Sequence, residues 1–170
     1  SIVGQILDGL GHAHKAGVVH RDVKPANVFL AEDGSARIMD FGLAFFTSSG
    51  ATSGTIMGTV AYMSPEQVRG ERLDGRSDLF SVGTLLCEML TGRRPFDAEN
   101  PGGTLFRIAS EDPRIEIGSD EERRRFLPIL ERALARNRDE RHQTAAEFAA
   151  DLRAPADPTH AAAPAVARAP

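Results

Sequence analysis

A chain of 170 residues, 41% hydrophobic and 26% charged, has room for one soluble domain with its own core. Its formal net charge of −4 argues against general affinity for nucleic acid or anionic lipid, and its single cysteine, Cys87, excludes an internal disulfide and fits a reducing compartment. No apolar stretch reaches the length of a membrane span, since Leu79 to Leu90 is broken by Ser81, Gly83, Thr84 and Glu88.

Ile2, Val3, Ile6, Leu7, Leu10 and His14 recur at helical spacing, and Gly17 follows as a stop signal. The chain opens on Ser1 inside that pattern with no initiator Met, so a fragment of a longer protein is expected. Val28-Phe29-Leu30 and Ala36-Arg37-Ile38-Met39 read as two short strands joined by a Glu32-Asp33-Gly34-Ser35 hairpin turn. Phe41 to Met63 is rich in Ser, Thr and Gly without a period, the mark of a functional or mobile loop. Ser64-Pro65-Glu66-Gln67 looks like a helix start, with Ser as cap and Pro at the first position, and Gly70 ends that helix.

Ser77 to Leu90 has apolar residues on nearly every side (Leu79, Phe80, Val82, Leu85, Leu86, Met89), which predicts a central helix closed by Gly92. Thr104 to Ser110 is one more short helix. Asp120 to Ala135 is a charged helix with Phe126, Leu127, Leu130 and Leu134 facing inward, which Pro128 must start, kink or divide. Thr144-Ala145-Ala146-Glu147 reads as a capping box for a last helix to about Leu152, and residues 154 to 170 as an Ala/Pro-rich disordered tail or linker.

The chemistry is concentrated in His20-Arg21-Asp22-Val23-Lys24-Pro25-Ala26-Asn27 and, beyond the hairpin, Asp40-Phe41-Gly42. An acid, a cation and an amide share one loop, and a second acid follows. The hairpin brings Asp22, Asn27 and Asp40 to the same end of a small sheet. Two acids, an amide and a cation suit moving a phosphoryl group with magnesium.

With Gly58-Thr59, Ser64-Pro65-Glu66, Asp78 ahead of Gly83, and Arg141 in the same order, the chain resembles the C-terminal lobe of a eukaryotic-type protein kinase, closest to the bacterial serine/threonine kinases. The resemblance covers Ser1 to about Leu152. It implies a mainly α fold with a small β-hairpin, of the α+β family, over residues 1–153. Asp22 would accept the proton of the substrate hydroxyl, Lys24 would balance the charge of the transferring phosphate, and Asn27 and Asp40 would hold Mg2+ beside ATP. Arg21 resembles the arginine that pairs with a phosphorylated loop, for which Ser53 and Thr55 are the best acceptors, with Thr52 behind them. Thr59 is similar to the threonine that bonds the catalytic acid and shapes the substrate groove. His20 and Phe41 resemble packing partners, Glu66 and Arg141 a buried ion pair, and Asp78 the acid that braces the catalytic loop's backbone.

Lys24 two positions after Asp22, together with Gly58-Thr59, resembles the serine/threonine pattern, so protein Ser/Thr hydroxyls are the expected substrates. A second kinase copy is a candidate dimer partner. The resemblance implies a cytoplasmic protein, or the cytoplasmic part of a membrane-anchored one. The 170 residues carry no Gly-rich loop and no strand with a phosphate-anchoring lysine, so this polypeptide alone is expected to bind ATP weakly and turn over little. The alternative to an enzyme is a kinase-like module that binds partners without chemistry; a phosphate-binding scaffold is more remote. Residues read without the resemblance make Cys87 a buried hydrophobe, Glu121 to Arg125 a solvated helix face, and His12, His14, His142 and His160 no metal site, for want of ligand spacing.

Overall fold

A computed structural model describes residues 1–41 and 60–155. Helix α1 (Ile2–Lys15) begins at Ser1, whose hydroxyl accepts from the Gly4 amide, and ends before Gly17, at φ 76°. A single 3-10 turn, Pro25–Asn27, leads into strands β1 (Val28–Leu30) and β2 (Ala36–Ile38), paired antiparallel with Val28 opposite Ile38 and Leu30 opposite Ala36. Gly34 takes the turn at φ 79°, a conformation an L side chain resists. Helix α2 (Pro65–Val68) carries the full reciprocal cap: the Ser64 hydroxyl accepts from the Gln67 amide, and the Gln67 side-chain oxygen accepts from the Ser64 amide at 2.9 Å. Helices α3 (Gly75–Thr91), α4 (Pro101–Ser110), α5 (Asp120–Ala133) and α6 (Ala145–Arg153) complete the chain.

Helix α3 is the axis of the molecule, with every residue from Ser77 to Cys87 buried. One side (Leu79, Val82, Leu86) meets Val3, Ile6, Leu7 and Leu10 of α1, Leu130 of α5 and Phe148 of α6 in the main core. The other side presents Phe80 to Phe96, Ile108 and Leu134. Each fully buried Leu, Val or Phe side chain contributes roughly 1.5–3 kcal/mol by leaving water. Helix α5 crosses so closely that a β-carbon on Gly83 would stand 2.9 Å from the Ala133 Cβ, so the central helix needs glycine there. Among the described residues no helix is long and apolar enough to cross a membrane.

Five expectations are corrected or narrowed. Helix α3 starts two residues before Ser77 because Asp74 accepts the Arg76 amide as its cap. Helix α4 starts three before Thr104, with Asn100 capping and Pro101 at its first turn. Helix α5 is neither started nor divided by Pro128, which lies inside it. The carbonyl deprived of a partner belongs to Arg124, on the exposed face, where water can take it. Met89 is 51% exposed, since α3 emerges from the core in its last turn. At α6 only half of the expected capping box closes: Thr144 accepts the Glu147 amide at 3.1 Å, but Glu147 accepts the Gln143 amide rather than that of Thr144.

Candidate active site

The loop before β1 is built around His20, whose side chain is fully buried. Its Nδ1 accepts the Asp22 amide at 3.2 Å, so the ring proton sits on Nε2, which donates to the Met39 carbonyl at 2.8 Å. The ring also packs on Phe41, centroids 4.6 Å apart and tilted by 56°. One imidazole thereby ties the amide of Asp22 to the residue preceding Asp40. The hairpin adds a second tie, because the Met39 amide donates to the Asn27 carbonyl at 2.9 Å. Asn27 and Asp40 therefore flank the open end of the two strands, as the hairpin reading anticipated.

Within the loop, Asp22 Oδ2 lies 2.8 Å from the Lys24 ammonium and accepts from Asn27 Nδ2 at 3.0 Å; the same nitrogen donates to the Asp22 carbonyl at 2.7 Å. Asp22 is partly exposed and Asn27 is buried. The acid is thus held by a cation and an amide. With its nitrogen committed twice to Asp22, the Asn27 side chain has its oxygen to offer a cation. Asp40, exposed and at φ 61°, adds a carboxylate beside the same strand end. Among the described residues no group of three His, Cys, Asp or Glu side chains is placed to hold a metal. A donor set of one carboxylate and one amide oxygen fits Mg2+, which takes few protein ligands and completes its shell with water and phosphate oxygens.

Asp78 enters from the first turn of α3 and is 1% exposed. Its Oδ1 accepts the Arg21 amide at 2.8 Å, and its Oδ2 accepts the His20 amide at 2.8 Å. Arg21 sits at φ 71°, in a region costly for a residue other than glycine. Its carbonyl accepts from the Gln67 side chain at 2.7 Å, so both ends of that residue are held. Sequence reasoning missed two contributors here. Gln67 was visible only as a helix cap. His14 was set aside for lack of ligand spacing, yet its Nε2 is 2.7 Å from Asp78 Oδ2 across 64 residues of sequence. No local pattern signals such a pair.

Glu66 and Arg141 form a two-pronged ion pair at 2.8 and 2.9 Å, with side chains 2% and 0% exposed. Ser77 adds a hydroxyl to Glu66 at 2.7 Å. Burial alone would raise the Glu66 pKa, but the Arg141 guanidinium and the Ser77 hydroxyl outweigh it and hold it at about 2. Because the folded value lies below the ordinary 4.5, the stabilisation is complete above about pH 4.5 and is lost as pH falls toward 2. Thermal melts between pH 5 and 2 should show a steadily falling midpoint, and Glu66→Gln should flatten that slope.

Gly42, Thr52, Ser53, Thr55, Gly58 and Thr59 lie outside the described residues, so the loop and groove readings placed on them have no structural description here.

A profile described as the protein kinase domain matches residues 1–151. Serine/threonine-protein kinase PknB of Mycolicibacterium smegmatis is 39% identical over 159 residues, covering 89% of this chain and 25% of that protein. A probable serine/threonine-protein kinase of Streptomyces coelicolor is 42% identical over 154 residues, covering 88% and 23%. Serine/threonine-protein kinase PknL of Mycobacterium tuberculosis is 41% identical over 160 residues, covering 92% and 40%. The chain spans well under half the length of each of these relatives. With the loop acid, its amide and cation partners and the α3 carboxylate held in one bonded assembly, and the family match running from the first residue to α6, the chain belongs to the protein kinase family, of the bacterial serine/threonine type.

Proposed function

We propose that this chain supplies the catalytic loop and the metal-binding side chains of a kinase that moves the γ-phosphoryl group of ATP to Ser or Thr hydroxyls of proteins. The observation that carries the reading is the bonded set Asp22–Lys24–Asn27, joined through the Asn27 carbonyl to the residue before Asp40. Asp22 orients the attacking hydroxyl and takes up its proton; its value lies more in positioning than in basicity, because the phosphoryl transition state is loose. Lys24, already beside the acid, offsets charge on the transferring group. Asn27 and Asp40 offer oxygens to Mg2+, which when bound neutralises phosphate charge. Arg21 is exposed and belongs to the same loop, which suits a charge that answers a phosphate on Ser53 or Thr55.

The complete polar set speaks against a partner-binding module released from chemistry. The full-length gene product, incubated with Mg-ATP labelled in the γ position, should label Ser and Thr of itself or of a generic protein substrate, and chelation of magnesium should stop it. Label confined to Tyr, or none from folded protein, would overturn the assignment.

A further inference from the structure

We propose that His14 is a positioning residue for phosphoryl transfer: its Nε2–H locks the Asp78 carboxylate, and through it the strained Arg21 backbone that presents Asp22. The inference rests on the kinase reading for its meaning but not for its geometry.

Carboxylate oxygens only accept, so the 2.7 Å contact requires the His14 proton on Nε2. Asp78 Oδ2 then serves two donors, the His20 amide and His14, while Oδ1 serves the Arg21 amide. These three donors come from two separate elements, α1 and the catalytic loop. The backbone of Asp78 is fixed in α3, so what the donors set is the orientation of its carboxylate: the two amides hold it from the loop, and His14 holds Oδ2 from α1, a helix anchored in the main core by Val3, Ile6, Leu7 and Leu10. The imidazole fits because Gly75 presents no side chain: a β-carbon there would come within 2.7 Å of Nδ1.

The backbone held by Asp78 would not keep its shape unaided. Arg21 at φ 71° is stable only while its amide and its carbonyl are both engaged, the first by Asp78 and the second by Gln67. If the carboxylate loses its lateral tie and turns, Arg21 can relax toward negative φ, and the next residue is Asp22. A displacement of about 1 Å at a reacting group can cost about a hundredfold in rate. His14 is partly exposed, at 16% of its side chain, and among the described residues it bonds to none of those assigned to substrate or metal. Its effect is therefore carried by position alone.

Two variants separate this role from bulk packing. His14→Met keeps size and apolar contact but has no donor; His14→Gln carries an amide N–H with similar reach. In the full-length gene product, His14→Met should lower kcat by about 10- to 100-fold with KM for ATP and substrate within about twofold, and His14→Gln should recover most of the loss. In this chain alone, amide hydrogen exchange at His20 and Arg21 should accelerate about tenfold or more in the Met variant and much less in the Gln variant. An unchanged kcat, a loss confined to KM, equal losses in both variants, or unchanged exchange would each overturn the proposal. If the Met variant does not fold, His14→Asn replaces it, with a donor too short to reach Asp78, and the same contrast with Gln decides. Asp22→Asn runs alongside: activity surviving that change refutes the kinase reading, while the exchange measurement still judges His14.

Discussion

Asp22→Asn should lower phosphoryl transfer by the full-length protein roughly 10²–10⁴-fold while leaving the fold in place. The substitution keeps the size of the side chain and an oxygen that can accept from Asn27 Nδ2, so the loop retains its shape. It removes the charge that the Lys24 ammonium faces at 2.8 Å and the acceptor for the substrate proton. Both partners are partly solvated, at 20% and 18% exposure, so stability should change by about 1 kcal/mol or less. Peptide phosphorylation and a thermal melt on the same preparation test this. Normal turnover would remove Asp22 from its assigned role, and a large drop in melting temperature would mean that activity had been lost through unfolding instead.

The largest effect on stability is expected at Arg141. Its guanidinium meets Glu66 through two bonds, donates to the carbonyls of Ala135 at 2.7 Å and Arg136 at 3.1 Å, and lies 4.9 Å over the Phe80 ring. Arg141→Met should cost about 3–5 kcal/mol, because it leaves the Glu66 carboxylate buried without its counter-charge. For a domain of this size that lowers the melting temperature by roughly 6–20 °C. Adding Glu66→Met should restore the part due to the stranded charge but not the part due to the carbonyls of Ala135, Arg136 and Arg76, the last at 3.3 Å. The double variant should therefore melt between the single Arg141 variant and the parent. If Arg141→Met melts within a degree or two of the parent, this pair is not what holds the loop's end to the last helices.

The elements and residues that sequence made visible are those whose signals are local. The Asp33-Gly34 turn sets the register of β1 and β2, and that register places Asn27 next to Met39. Ser64 and Gln67 close the α2 cap within four residues. The apolar run of α3 announced its burial from Leu79 to Leu86.

What stayed hidden depends on partners far away in sequence or on competition between neighbours. Gly75 reads as a loop residue until Asp74 is seen capping it and His14 is seen lying against it. Pro101-Gly102-Gly103 stands outside the helix expected from Thr104, yet the Asn100 cap makes it the first turn of α4. Glu147 had two amides within reach, and the one it took, from Gln143, is not the one the motif names. Arg132 also bonds to Glu147, in a cluster with Asp151 that draws in the buried His142 at 3.1 Å. In the candidate site, the charged residues proposed to meet a substrate were legible as a motif. The residues that hold the motif in shape, His14 and Gln67, were not, because nothing near them in sequence marks the contact.

The Glu66–Arg141 pair spans 75 positions, and this has a consequence for synthesis. On the ribosome the glutamate emerges long before the arginine that neutralises it, so the early polypeptide has every reason to keep that acid in water. The ion pair cannot close until Arg141 has itself left the exit tunnel. A nascent molecule stalled anywhere before α6 would lack that closure, and quality-control proteases would meet it with this seam still open.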